Sequence, residues 1–157
     1  MKKLFLLPLL LSHLPAALIT WDGGGDGTTW QDPANWDGDV VPTEIDDVVI
    51  DDPADPVITV SGSLTVRSLN CEEDIVFGGN LTLTGGNSVI KNTTFNQRRI
   101  TVNGGAVAEF PSLPALTHSA NRDAIITADG AGSRIVFPNA LFIRGSGGIS
   151  DDSFSGP

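Results

Sequence analysis

The chain has 157 residues and a net charge of −10, from 19 Asp and Glu against 9 Lys and Arg, with 18 Gly, 10 Pro and a single Cys. That excess of negative charge repels phosphate backbones, which excludes nucleic acid as a partner. The Gly and Pro content argues against a helical fold, and lone Cys71 excludes an intramolecular disulfide, so the fold is stable without one and the thiol is read as a small buried apolar residue.

Residues 1–20 form the first element. Lys2 and Lys3 make a positive head, Leu4 to Leu11 is almost wholly apolar, and small residues Ala16 and Ala17 follow. This is the layout of a secretory signal peptide, with cleavage expected between Ala17 and Thr20. As a membrane anchor the run is short and is interrupted by Pro8 and Pro15. No later stretch is long and apolar enough to span, so the expectation is a secreted or cell-surface protein with no transmembrane span after cleavage. Loss of Lys2 and Lys3 makes the remainder more negative still.

Residues 21–55 form the second element. They hold all three tryptophans (Trp21, Trp30 and Trp36) and eleven of the acids, with no Lys or Arg. The segment reads Trp21-Asp-Gly-Gly-Gly-Asp-Gly, then Trp30, then Pro33-Ala-Asn-Trp36. Pro42 follows, and Asp46-Asp47-Val48-Val49-Ile50 closes it as a short apolar strand flanked by aspartates. Over residues 21–51 this pattern resembles the N-terminal module of bacterial secreted and surface β-helix proteins of the adhesin and autotransporter type. The resemblance implies a short right-handed parallel β-helix whose residues 21–55 cap its first coil, and it makes the chain similar to the head of a larger surface protein. Trp21, Trp30, Trp36, Pro42, Asp47, Val48 and Ile50 are then structural cap residues. A stack of β coils has an open apolar end and unpaired edges that need such a cover.

Residues 56–149 form the third element, made of short β runs broken by glycine. The apolar-Thr-apolar core recurs at Ile58, Leu81, Ile100 and Ile125, with a looser copy at Leu141, a degenerate repeat of about 20 residues, the size of one solenoid coil. Period-two alternation turns the aliphatics inward and the Thr outward. Ile58, Val60, Leu81, Leu83, Ile100, Val102 and Ile126 are therefore the expected stacked core. Asn80, Asn87, Asn92, Asn96 and Asn103 are expected at corners, where glycine also sits. Residues 150–157 are a polar tail. The rival architecture is an antiparallel β-sandwich, with Gly85-Gly86 and Gly104-Gly105 as its hairpin turns.

Three kinds of site are weighed on these elements. Asp22, Asp26, Asp37 and Asp39 are hard oxygen donors suited to Ca²⁺, but no spacing matches a calcium loop, and turn-forming, solvated acids explain the run. The expectation is no cofactor, with Ca²⁺ as the candidate ion. An exposed Trp stacks on sugars, so an extracellular polymer or glycan is the candidate partner, against buried cap residues. For catalysis, His118 lies near Ser112, Ser119 and Asp123, and Arg98, Arg99, Arg122, Asp123, Asp129 and Arg134 supply charges, but none forms a recognisable nucleophile motif. The chain is accordingly read as a non-catalytic structural or adhesive module and not an enzyme. The alternative is a carbohydrate-binding or carbohydrate-cleaving β-helix.

Overall fold

The structure is a computed structural model and describes residues 16–95, 99–111, 115–117, 125–139 and 142–144. Strands run in chain order as β1 (Leu18–Thr20), β2 (Asp47–Ile50), β3 (Val57–Val60), β4 (Leu64–Val66), β5 (Ser68–Phe77), β6 (Leu81–Leu83), β7 (Asn87–Phe95), β8 (Arg99–Val102), β9 (Val107–Glu109), β10 (Ala115–Thr117), β11 (Ile125–Ala128), β12 (Arg134–Val136) and β13 (Phe142–Arg144). The helical content of the described residues is a single 3₁₀ turn, Pro33–Asn35. The protein is all-β.

Each pair of these strands is parallel. That overturns the antiparallel sandwich. Parallel neighbours need a crossover between them, and the double glycines serve such corners instead of hairpins: Gly86, Gly104 and Gly105 all take positive φ. The larger sheet has the order β1-β2-β5-β7-β9-β12, with β3 also paired to β5. A second is β4-β6-β8-β11 and a third is β10-β13. Among the described residues the sheets remain separate, and none closes on itself.

Register explains the packing. Leu64, Leu81, Ile100 and Ile126 are successive partners, each about 20 residues on. Val66, Leu83, Val102 and Ala128 form the neighbouring file. All of these are buried except Ile126 and Ala128, which are partly buried and packed on the core. Thr65, Thr82, Thr101 and Thr127 stand between the files in the same register on the opposite face.

Two copies of the repeat sit elsewhere than expected. Ile58 and Val60 are fully buried, but they stack on Ile75 and Phe77 in the larger sheet, not on Leu81 and Leu83. The run under Leu81 is Leu64-Thr65-Val66. The two runs have the same alternation, and the Ser61-Gly62 corner between them, with Gly62 at φ +84°, sends them to different sheets. Likewise Phe142-Ile143-Arg144 pairs with Ala115-Leu116-Thr117, because two short runs intervene in the long stretch between β9 and β12. Asn92 lies inside β7, not at a corner; Asn96 lies outside the described residues.

The ten-residue β5 carries both β2 and β3. Ser68–Cys71 pairs with β2 and Asp74–Phe77 with β3. Its register with β7 slips between Cys71 and Asp74. The pleat points Leu69, Cys71, Glu73, Ile75 and Phe77 inward, so Glu73 is a buried acid at the irregularity. Its Oε1 accepts from the Asp52 N–H at 2.5 Å, tying down the loop that separates β2 from β3. Gly79 follows at a corner where a Cβ would run into the backbone of Gly62 and Ser63. No side chain fits such a backbone-to-backbone approach.

Candidate functional site: the tryptophan and aspartate cap

The segment between β1 and β2 is organised around one buried amide. Asn35 is fully buried. Its Oδ1 accepts from the N–H groups of Gly25 (3.0 Å) and Gly27 (2.8 Å). Its Nδ2 donates to Asp26 Oδ1 (2.8 Å) and to the Thr29 carbonyl (2.9 Å). That uses the full donor and acceptor capacity of an amide. Asn35 is presented by the 3₁₀ turn, which starts because Asp32 Oδ1 accepts from Ala34 N–H at 3.1 Å and Pro33 sets the first φ. Glycine at position 25 leaves room for this arrangement, since a Cβ there would displace the Asp32 carboxylate and Asn35 Oδ1.

The aspartates of the loop act as acceptors for its backbone. Asp26 Oδ1 takes the N–H groups of Thr28 (2.9 Å) and Thr29 (2.7 Å) as well as the Asn35 amide. The Thr29 side chain, the Thr28 N–H, the Asn35 amide and the Thr29 N–H, in that order, hold the Asp26 carboxyl well below the ordinary carboxylate value of 3.8. Asp32 Oδ2 takes the Asp26 N–H (3.2 Å), and Asp22 Oδ1 takes that of Gly24 (2.9 Å). Asp37 and Asp39 sit on a separate exposed turn, where Asp39 N–H donates to the Trp36 carbonyl at 2.9 Å and Asp39 has φ +54°. Among the described residues, no group of three or more His, Cys, Asp or Glu side chains is placed to hold a metal ion.

The three indoles are buried, Trp21 at 4%, Trp30 at 1% and Trp36 at 0% exposure. Trp36 meets Trp21 edge to face at 4.9 Å between ring centroids and Trp30 at 4.6 Å. Trp36 Nε1 donates to the Trp30 carbonyl at 2.8 Å. Trp21 Nε1 is buried without a hydrogen-bond partner among the described residues. None of the three offers an open face for a sugar ring.

Backbone from the cap then continues the sheets. Trp21 N–H donates to the Val49 carbonyl (2.9 Å), Trp30 N–H to the Thr59 carbonyl (3.0 Å), and Thr59 N–H to the Thr28 carbonyl (2.8 Å). The outer edge of β3 is thereby occupied, while that of β2 is covered by β1 and extended by the one bond from Trp21. Pro42 is buried, as are Val48 and Ile50. The Asp47 carboxylate accepts from Arg67 Nη1, at 2.6 and 2.5 Å, and from the Ser68 hydroxyl.

Chemistry beyond the cap is sparse in the described residues. Cys71 is fully buried and its thiol is pushed up to about 12, chiefly by burial, which makes it unreactive. Arg99, Asp129 and Arg134 are exposed on separate stretches. His118, Ser112, Ser119, Asp123, Arg98 and Arg122 lie outside the described residues. Sequence reasoning missed the roles of Asn35 and Glu73. The first was visible only as part of the Pro33-Ala-Asn-Trp36 run. The second could have been found from the pleat of Cys71-Glu72-Glu73-Asp74, where an acid falls on the inward phase.

Among known proteins, no family model, no curated protein and no solved structure matches the chain. No helix among the described residues is long and apolar enough to cross a membrane.

Proposed function

We propose that the chain is an exported structural or adhesive module without chemistry of its own. It is a short right-handed parallel β-helix whose first coil is closed by the tryptophan cap, and it acts at the cell surface or outside the cell against a polymer or glycan. The observation that carries this reading is the division of labour in the stacked rungs. Apolar side chains fill the inward files, while the outward face of β4-β6-β8-β11 presents an in-register line of threonines. Such a surface is even and polar, and it offers hydroxyls at the inter-strand spacing of about 4.8 Å. It suits contact with an extended partner better than enclosure of a small substrate.

Co-sedimentation with insoluble extracellular polysaccharides, paired with an assay for released sugar, tests the reading. Retention without product supports it. Release of product overturns the non-catalytic assignment, and absence of retention on glycans and on cell surfaces alike overturns the adhesive one. Asp22 and Asp26 already accept backbone N–H groups, and no spacing of the acids matches a calcium loop, so calcium is expected to act mostly by screening. Millimolar CaCl₂ and NaCl of equal ionic strength should then raise the melting temperature equally, whereas a specific site would stabilise by mass action.

A further inference from the structure

The first strand lies inside the segment whose sequence reads as a signal peptide. Leu18, Ile19 and Thr20 pair with Asp47, Val48 and Val49. Ile19 packs against the core, the Ala17 carbonyl accepts from Asp47 N–H at 2.8 Å, and the Thr20 carbonyl accepts from Asp37 N–H at 2.8 Å. Removing residues through Thr20 would strip the outer edge of β2, unpair the cap turn at Asp37 and take Ile19 from the core. An exposed parallel edge is an aggregation hazard.

Signal peptidases cut after a small residue, usually with a second small residue two positions before it. Next to the strand the small residues are Ala16 and Ala17, with Leu14 and Pro15 at the respective second positions, so the strand has to choose between them. Cutting after Ala17 would remove the carbonyl that Asp47 N–H uses, whereas cutting after Ala16 keeps it. Both alanines are exposed ahead of β1, where a protease can reach them. We infer that the processing site is the Ala16–Ala17 bond, hydrolysed by a signal peptidase, so that the mature protein begins at Ala17 and keeps β1. Water adds across the bond, leaving a carboxylate on Ala16 and an α-ammonium on Ala17. This rests on the export reading above.

The full chain is expressed in a bacterial host, and its N-terminal peptide is sequenced by mass spectrometry from the exported and cytoplasmic fractions. The expected exported protein starts at Ala17. A start at Leu18, at Trp21 or at any other residue overturns the inference while leaving export intact, as does exported chain that is uncut. Chain retained uncut in the cytoplasm overturns both readings. Two variants separate the alternatives further. Ala16→Arg, next to the bond, should lower the processed fraction at least about tenfold, and Thr20→Arg, exposed four residues beyond it, should change it by less than about twofold. The reverse pattern would place the cut beside Trp21 and overturn the inference.

Discussion

The cap and the stacked rungs reach order by opposite routes. In the rungs, one simple rule is applied repeatedly: an aliphatic, an outward Thr and another aliphatic, with the backbone paired to the rung on either side. Each residue there has interchangeable neighbours, and stability is shared along the stack. In the cap nothing repeats. Its shape depends on particular side chains that satisfy particular backbone groups, with Asn35 and Asp26 between them serving Gly25, Gly27, Thr28 and Thr29. The three indoles are buried in the same core cluster as the aliphatics of the rungs. A rung therefore tolerates conservative change, while a cap residue is tied to one identity.

The largest loss is expected where a charge enters the inner files. Leu81→Asp or Ile100→Asp should cost several kcal/mol by burying an unpaired carboxylate, and Thr82→Asp or Thr101→Asp much less. Equal losses in urea unfolding would show that the register is wrong. Next comes the cap's centre. Trp36→Ala should cost about 3–5 kcal/mol through the cavity and the lost indole bond, and should raise self-association as the covered end opens, read by light scattering. The native tryptophan fluorescence should be blue-shifted, and glycans should leave it unmoved.

Asn35→Ala sharpens the contrast. Four bonds of roughly 1 kcal/mol each are lost together, so a loss of about 2–4 kcal/mol is expected. Asn35→Asp should recover little of it, because a carboxylate supplies acceptors but not the two donors to Asp26 and Thr29. A rung residue such as Val102 exchanged for Ile should show no comparable demand on identity. The smallest effect is in acid. Asp26 has a folded-state value below its unfolded one, so the stability it adds is complete above the ordinary carboxylate range. It is lost as pH falls from about 5 downward through the folded value. Asp26→Asn should therefore flatten the acid limb of the stability curve between about pH 5 and pH 2, relative to the parent. An unchanged slope would remove Asp26 from its assigned place in the cap.

Much of the β content was legible because alternation is local. Ile58-Thr59-Val60, Leu81-Thr82-Leu83 and Ile100-Thr101-Val102 read as strands from their own residues, and their inward members are buried. Which run stacks on which was not legible. Ile58 and Leu64 begin equivalent apolar-Thr-apolar runs six residues apart, and only the corner at Gly62 and the partners Ile75 and Leu81 tell them apart. The long strands β5 and β7 were also hidden, since Glu73 and Asn92 fall where the alternation calls for an apolar residue. Their outward charges meet across rungs, as Lys91 does with Glu72, and a chain read singly shows no such neighbour.

Residue identity alone therefore determined that the chain is acidic, β-forming and without an intramolecular disulfide, that its tryptophans cluster in one loop, and that its first residues have the pattern of an export signal. Those properties depend on composition and on neighbours a few positions away. Tertiary structure decided the pairing of rungs, the use of Asn35 as the hub of the cap, the burial of Glu73 against the Asp52 N–H, and the presence of Leu18–Thr20 in the sheet. Each of these joins segments that are distant in sequence or spends a polar side chain on a specific backbone group. The free energy of such contacts exists only once the partner has been brought into place.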